Sequence, residues 1–389
     1  MKKYFILAAA ALVTLAACSK NEADTEAYEQ AKVINFNTVA GKATKAPITG
    51  TTYHYNYSSF GVFAWYLAEG NWNTAAANSS AVAYMGTKAE TDSPLASPVE
   101  ITWNEDKDIW APNGTTYYWP LQGKLTFIAY SPFNAATATF SNAGVLTLTG
   151  YTLNTTVADQ VDLLYSAVAA DKTQNEDYYE DTANSKDSED AEGDKGVNIQ
   201  FKHALAQIIF KAKTANEVYT AGLSFKINSI VVNAASTAAS MTVTNPAVDA
   251  APAGITTWTT PGTNVNFNVR TTDFPEAANT YLTTTLSDPI GDALLAIPVT
   301  EFDTTDPTIT VQYTLYRRSD NQSLGSKTVT VNVKNVDNII TAWQAGKKYE
   351  YDLTIDLQKI YFTPSIIDWT TGEIQGVNIP DGTPYNPAA

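Results

Sequence analysis

Cysteine occurs once in this chain, at Cys18, and histidine twice, at His54 and His203. One cysteine excludes an intramolecular disulfide and leaves no second thiol for redox or metal chemistry, so stability has to come from packing. Two isolated histidines argue against a zinc centre and against a Ser-His or Cys-His catalytic pair. Basic residues are also scarce, 24 against 40 acidic ones, for a net charge of −16. Nucleic acid is therefore excluded as a partner, because phosphate binding needs a basic face. Glycine-rich phosphate loops of either common spacing are missing, as is the D-x-D-x-D-G spacing of a calcium loop. Paired carboxylates exist, as in any acidic chain, but none stands out as an acid/base pair. The expectation is a protein that is not an enzyme and needs no cofactor or metal.

Long apolar runs are confined to the N-terminus. Lys2 and Lys3 precede "FILAAAALVTLAA", Phe5 to Ala17, which suits a signal-peptide core and falls short of the roughly 20 residues that span a bilayer. The run ends in "LAAC", small residues before Cys18. This is the pattern of a bacterial lipoprotein signal, residues 1–18, with Cys18 as the acylated residue. Next comes the polar "SKNEADTEAYEQ", a solvated tether. "AKVINFNTV" then alternates, with Ile34, Phe36 and Thr38 on one face, as a half-buried strand would. A small-residue joint carrying Lys42 and Lys45 follows it.

The rest reads as strands. "FGVFAWYL" (60–67) and "KLTFIAY" (124–130) are apolar without alternation, the mark of strands buried on both faces. "TITVQYTLY" places Ile309, Val311, Tyr313 and Leu315 together, "KTVTVNV" places Val329, Val331 and Val333, and "YEYDLTIDL" aligns Tyr349, Tyr351, Leu353, Ile355 and Leu357. Period-2 runs broken by Gly, Pro, Asn and Asp, with no long helical periodicity, indicate an all-β chain of antiparallel sandwiches. Residues 171–195 hold 10 acidic and 3 basic side chains, about half of the net charge, and read as a solvated loop, with calcium as the sharper reading. A change from aromatic-rich to Val/Thr-rich sequence puts a division near residue 203. That gives a tether and strand at 19–45, a first domain at 46–202 and a second at 203–389. His203, within "FKHALAQIIF", reads as structural. The aromatic clusters "YHYNYSSFGVFAWY", "NWN", "DIW" and "TYYWP" read either as core and subunit interface or as platforms for glycans.

Several stretches, in this order, resemble the Bacteroidetes fimbrillins, the type V pilins and their relatives. They are "LAAC", "INFNTVAGKATKAP", "YYWPLQGKLTFIAYSP", "VDLLYSAV", "FKHALAQIIFKAKT" and "WQAGKKYEYDLTIDLQKIYFTPSIIDW". The resemblance implies two β-sandwich domains of transthyretin-like Greek-key topology. It implies export as a lipid-anchored outer-membrane precursor, then a place in a surface fimbrium supporting adhesion. It also implies removal of the N-terminal strand by cleavage after a basic residue, commonly Arg. Lys45 before Ala46 is the matching position here. The partners would be other fimbrial subunits, the outer membrane before cleavage, and a host or bacterial surface receptor. A neighbour's strand would fill the opened groove. The C-terminal region is the expected donor, with Ile360, Phe362, Ile366, Trp369, Ile374, Val377 and Ile379 as pocket-fillers, stopped by Pro380. Shaft and tip positions both stay open. The rival reading is a glycan-binding or adhesive outer-membrane lipoprotein that keeps its first strand and never polymerises.

Overall fold

The computed structural model describes residues 32–39, 58–72, 80–88, 90, 93–104, 109–174, 196–244, 255–302, 307–335, 340–357 and 359–368. Among these, 57% are strand and 4% helix, so the chain is all-β. The helical part is one short α-helix, α1 (Asn216–Thr220), and two 3-10 turns, at Val157–Asp159 and Val333–Asn335. No described helix is long and apolar enough to cross a membrane.

Four sheets take up the strands. The largest runs β12 (Ala169–Lys172), β8 (Lys124–Ser131), β11 (Leu164–Ser166), β13 (Val197–His203), β1 (Phe36–Val39), β7 (Ile109–Pro112), β6 (Val99–Asn104), β2 (Ser59–Leu67), β3 (Val82–Met85). Because β2 also pairs with β8, seven of these strands form a closed ring, so the two layers of this sandwich are joined along both sides. A second sheet runs β17 (Ile255–Pro261), β16 (Ala238–Thr244), β10 (Val145–Thr149), β9 (Thr137–Phe140), β5 (Leu95–Ala96), β4 (Thr87–Lys88). The other two are four-stranded. One is β19 (Leu294–Ala296), β14 (Ala206–Thr214), β22 (Lys347–Ile355), β23 (Ile360–Asp368). Its partner is β18 (Asn264–Arg270), β15 (Leu223–Ala235), β20 (Thr308–Arg317), β21 (Gln322–Asn332). Among the described strands only β1–β13 and β14–β22 pair in parallel.

Two cores explain the sequence pattern. Phe60, Val62 and Ala64 of β2, with Leu125, Phe127 and Ala129 of β8, line the inside of the ring. Phe63, Trp65 and Leu67, with Ile128 and Tyr130, point the other way into a larger core shared with the remaining sheets. A strand with a core on each side has no polar face to present, which is why both stretches read as unbroken apolar runs. Strands with one wet face keep the alternation: Val197, Ile199 and Phe201 are buried on β13, and Tyr349, Tyr351, Leu353 and Ile355 on β22. Leu357 leaves that row and is exposed, because β22 ends at Ile355.

Of the aromatic clusters, Trp65, Trp72, Trp110, Trp119, Phe60 and Phe63 are buried core, which removes these six as glycan platforms, whereas Tyr118 is exposed and residues 53–57 lie outside the described residues. Near the expected division, β13 ends at His203 inside the ring sheet and β14 starts at Ala206 in a four-stranded one. The six-stranded sheet nevertheless draws β9 and β10 from before that point and β16 and β17 from after it. Residues 175–195, most of the acidic stretch, lie outside the described residues.

Candidate functional site

The short strand β1 completes the ring. It runs parallel to β13, with Phe36, Asn37, Thr38 and Val39 opposite Val197, Asn198, Ile199 and Gln200. On its other side a single antiparallel bridge joins Phe36 to Trp110 of β7. The segment leading into it adds Ile34 N–H to Tyr117 O at 2.9 Å and Trp119 N–H to Lys32 O at 2.9 Å. The period-2 pattern "VINF" puts Ile34 (0% exposed) and Phe36 (1%) into the ring interior, and Thr38 is half-buried. There the Phe36 ring meets Phe60 edge-on at 6.2 Å and Phe127 at 5.5 Å. Burying two such side chains is worth about 1.5–3 kcal/mol each.

Gly196, just before β13, lets the two backbones approach. A Cβ there would sit 2.6 Å from the carbonyl carbon of Phe36. Without β1, the facing edges of β13 and β7 lose their partner, and the side chains of Phe60, Phe127 and Trp110 lose the cover of Ile34 and Phe36. Such a slot accepts a strand through main-chain hydrogen bonds, with pockets for alternate side chains.

At the other end, β23 pairs with β22 over nine positions, from Lys347 opposite Asp368 to Ile355 opposite Ile360. It is an edge strand, the position where Pro364, which has no N–H to donate, is tolerated. Ile360 and Phe362 pack against the large core, whereas Tyr361, Ile366 and Ile367 are exposed. Ile366, Phe362 and Ile360 are thus placed by the structure. Cys18, Lys45, Ala46, Trp369, Ile374, Val377 and Ile379 lie outside the described residues.

His203 has a partner the sequence did not reveal. Its Nδ1 meets Asp162 Oδ2, both side chains being buried where β13 ends. Burial pushes the Asp162 carboxyl above the ordinary carboxylate range, and the His203 pairing pulls against that. Asp162 in turn raises the already desolvated Tyr151 hydroxyl. Beside the pair, Gln160 ties the two halves: its Oε1 accepts from Leu295 N–H at 2.8 Å, and its Nε2 donates to Asn154 O at 3.0 Å. Nothing in the sequence marks Asp162, because the ladder between β11 and β13 creates the pairing. No group of His, Cys, Asp and Glu that could hold a metal occurs among the described residues.

An all-β chain of several antiparallel sheets, whose first sheet is closed by a short strand near the N-terminus, is of the β-sandwich class. The chain belongs to the fimbrillin-like family, whose model matches residues 67–369, from the end of β2 to just past β23. This is a family of fimbrial structural proteins. Among solved structures the chain is similar to a fimbrial protein from Bacteroides vulgatus ATCC 8482, with 18% identity over 87% of this chain and 100% of that one, at a TM-score of 0.49. It is similar to a candidate cell adhesion protein from Bacteroides uniformis ATCC 8492, with 15% identity over 87% and 98%, at 0.45. A third likeness is to the fimbrial anchor protein Mfa2 from Porphyromonas gingivalis, with 10% identity over 87% and 98%, at 0.27. No curated protein sequence matches the chain.

Proposed function

We propose that this chain is a structural subunit of a cell-surface fimbria. It is exported as a lipoprotein acylated at Cys18, cut between Lys45 and Ala46, and assembled by strand exchange to support adhesion. The observation that carries the reading is the place of β1 in the ring. A terminal strand that closes a sheet, followed by a basic joint, can be removed without cutting any other strand. The resident strand keeps the slot filled during export, and its loss creates an acceptor only at the cell surface. Head-to-tail filling of such slots does not close on itself, so it yields a filament.

The donor follows from the slot's shape. The incoming strand has to run parallel to β13 and antiparallel to β7, and it has to bring large apolar side chains two residues apart. The pattern Ile-x-Phe occurs in Ile34-Asn35-Phe36, in Ile199-Gln200-Phe201 of β13, which is itself a wall of the slot, in Ile208-Ile209-Phe210 of β14, and in Ile360-Tyr361-Phe362 of β23. In β14 it already fills such a place, parallel to β22 and antiparallel to β19, with Ile208 and Phe210 both fully buried. The C-terminal segment from Ile360 onward fits as the donor, Ile360 and Phe362 leaving the edge of β22 to take the seats of Ile34 and Phe36. Ile374, Val377 and Ile379 extend it, and a chain that carries both slot and donor is a shaft subunit.

Purified protein treated with a trypsin-like protease and viewed by electron microscopy tests this. Filaments are expected from the wild type, and none from a Lys42→Ala, Lys45→Ala double variant. Filaments from the double variant would overturn the maturation step. Filaments from a chain ending at Gln358 would overturn the donor assignment.

A further inference from the structure

Away from the ring, a cleft of about 420 Å³ opens between the loop at Thr155–Ala158, strand β18, and the loops at 271–272 and 291–292. Every wall is pinned. The first loop is held by Gln160, which reaches both Asn154 and the backbone of β19. The 291 loop lies so close to β18 that a Cβ on Gly291, at φ +74°, would sit 2.0 Å from Val269 O. Arg270 fixes the third wall, donating from Nε to Thr272 O at 2.8 Å and from Nη2 to Asp273 O at 2.8 Å and Glu276 Oε1 at 2.7 Å. The cleft is therefore preformed, and its volume is in the range of ligand sites.

Its lining sets hydroxyl, amide and carboxylate groups beside an apolar surface of similar extent. Period-2 alternation on β18 buries Phe267 and Val269 and turns Asn266 and Asn268 outward. Asn266 Oδ1 accepts from Asn233 Nδ2 at 2.7 Å. The exposed Asn268 amide and Asp292 carboxylate make no hydrogen bond to another described residue, and Thr155, Thr156, Thr271 and Thr272 surround them. Arg270 is committed to Glu276, so the charge open to a ligand is the Asp292 carboxylate. A carboxylate and an amide lining one cleft suit sugar hydroxyls, the carboxylate accepting hydrogen bonds and the amide both accepting and donating them. An anionic ligand would meet Asp292 and the net charge of −16.

We propose that this cleft binds a neutral sugar, with Asn268 and Asp292 as the groups that read its hydroxyls. This site does not depend on strand exchange. It moves carbohydrate recognition from the buried aromatics to a cleft lined by both halves of the chain.

The test is saturation-transfer NMR on the full chain with glucose, galactose, mannose and N-acetylglucosamine, and with sialic acid as the anionic comparison, at millimolar concentration. Transfer to at least one neutral sugar is expected, with affinity falling about tenfold in Asn268→Ala and in Asp292→Ala, the loss of one hydrogen bond to a charged or well-placed group. Both side chains are exposed, so unchanged melting temperatures check that the variants are folded. No transfer from any neutral sugar, equal transfer from sialic acid, or binding untouched by both substitutions would each overturn the proposal. None of these results depends on whether filaments form.

Discussion

The strands β1 and β14 hold the same post in the two halves of the molecule and differ in how firmly they are held. Each carries Ile-x-Phe into a core, pairs in parallel with one neighbour, and pairs antiparallel with the other. For β1 the ladder is four residues on one side and a single bridge on the other. For β14 it is eight residues on one side and three on the other. The chain enters β14 directly from β13 and leaves it through α1 into β15, so β14 has no free end. The first half thus repeats the second with a strand that is short, terminal and weakly laddered. By its ladders β1 is the more weakly held of the two.

The largest effect expected from that difference is the loss of β1 altogether. A chain beginning at Ala46 should lose amide protection in β7 and β13, because Ile34 and Phe36 withdraw about 3–6 kcal/mol of burial from the ring. Protection in β15, β20 and β22 should stay as in the full chain. A synthetic peptide of residues 32–40 should restore the lost protection. Hydrogen exchange reads all three, and equal loss in both halves would dissolve the comparison. Next in size is Phe36→Ala against Phe210→Ala. Each should cost about 3–5 kcal/mol as a buried aromatic deletion. The first should show as early exchange confined to the ring, while the second should lower the melting of the whole chain, since the Phe210 ring stacks on Tyr351 at 5.6 Å in the larger core.

How much of this was legible beforehand depends on the range of the signal. Alternation and unbroken apolar runs are local, so Ile34, Phe36, the double-faced strands β2 and β8, and the row from Tyr349 to Ile355 could be read from single stretches. Pairing is not local. Nothing near Phe36 announces its parallel register with Val197 or its bridge to Trp110, and nothing near His203 points to Asp162. Closure of the first sheet was out of reach for the same reason, because it depends on β2 meeting β8 at sequence separations of 57 to 69. The aromatic clusters left two readings open, because a tyrosine or tryptophan has the same composition signal on a platform and in a core. The cleft beside β18 gave no signal, since its lining comes from three separate segments.

The buried pair at the end of β13 sharpens the comparison through pH. Asp162 is raised above the ordinary carboxylate range, chiefly by burial. Folding therefore favours its protonated form. The stability linked to it is fully present below the ordinary carboxylate value and is lost as pH rises from there through the raised folded value. Asp162→Asn keeps the shape and removes that titration, so the melting gap between wild type and variant should narrow as pH rises across this window. Asp162→Ala breaks the pair instead and should cost about 3–5 kcal/mol. A gap that widens with pH would show that the His203 pairing, rather than burial, dominates.

The smallest effect belongs to Gly196, and it tests whether β1 is held by fit or only by hydrophobicity. Gly196→Ala adds one methyl group where the nearest atoms are the backbone of Phe36 itself, 2.6 to 2.9 Å away, and backbone cannot rotate aside as a side chain can. The strand has to shift outward, which loosens Phe36 from Phe60 and Phe127 at an expected cost of about 1–3 kcal/mol. The counterpart position in the second half has more room. Leu205 leads into β14, and a Cβ on Gly346, beside the start of β22, would lie 3.6 Å from His203 O. Gly346→Ala keeps that space but is strained by φ +68°, so it should destabilise by about 1 kcal/mol without releasing β14. Hydrogen exchange at Val197 and Trp110 separates the two. Faster exchange there in Gly196→Ala alone marks a strand whose seat is shaped to its backbone, and the same clash would then block an incoming donor and lower filament yield in the cleaved protein.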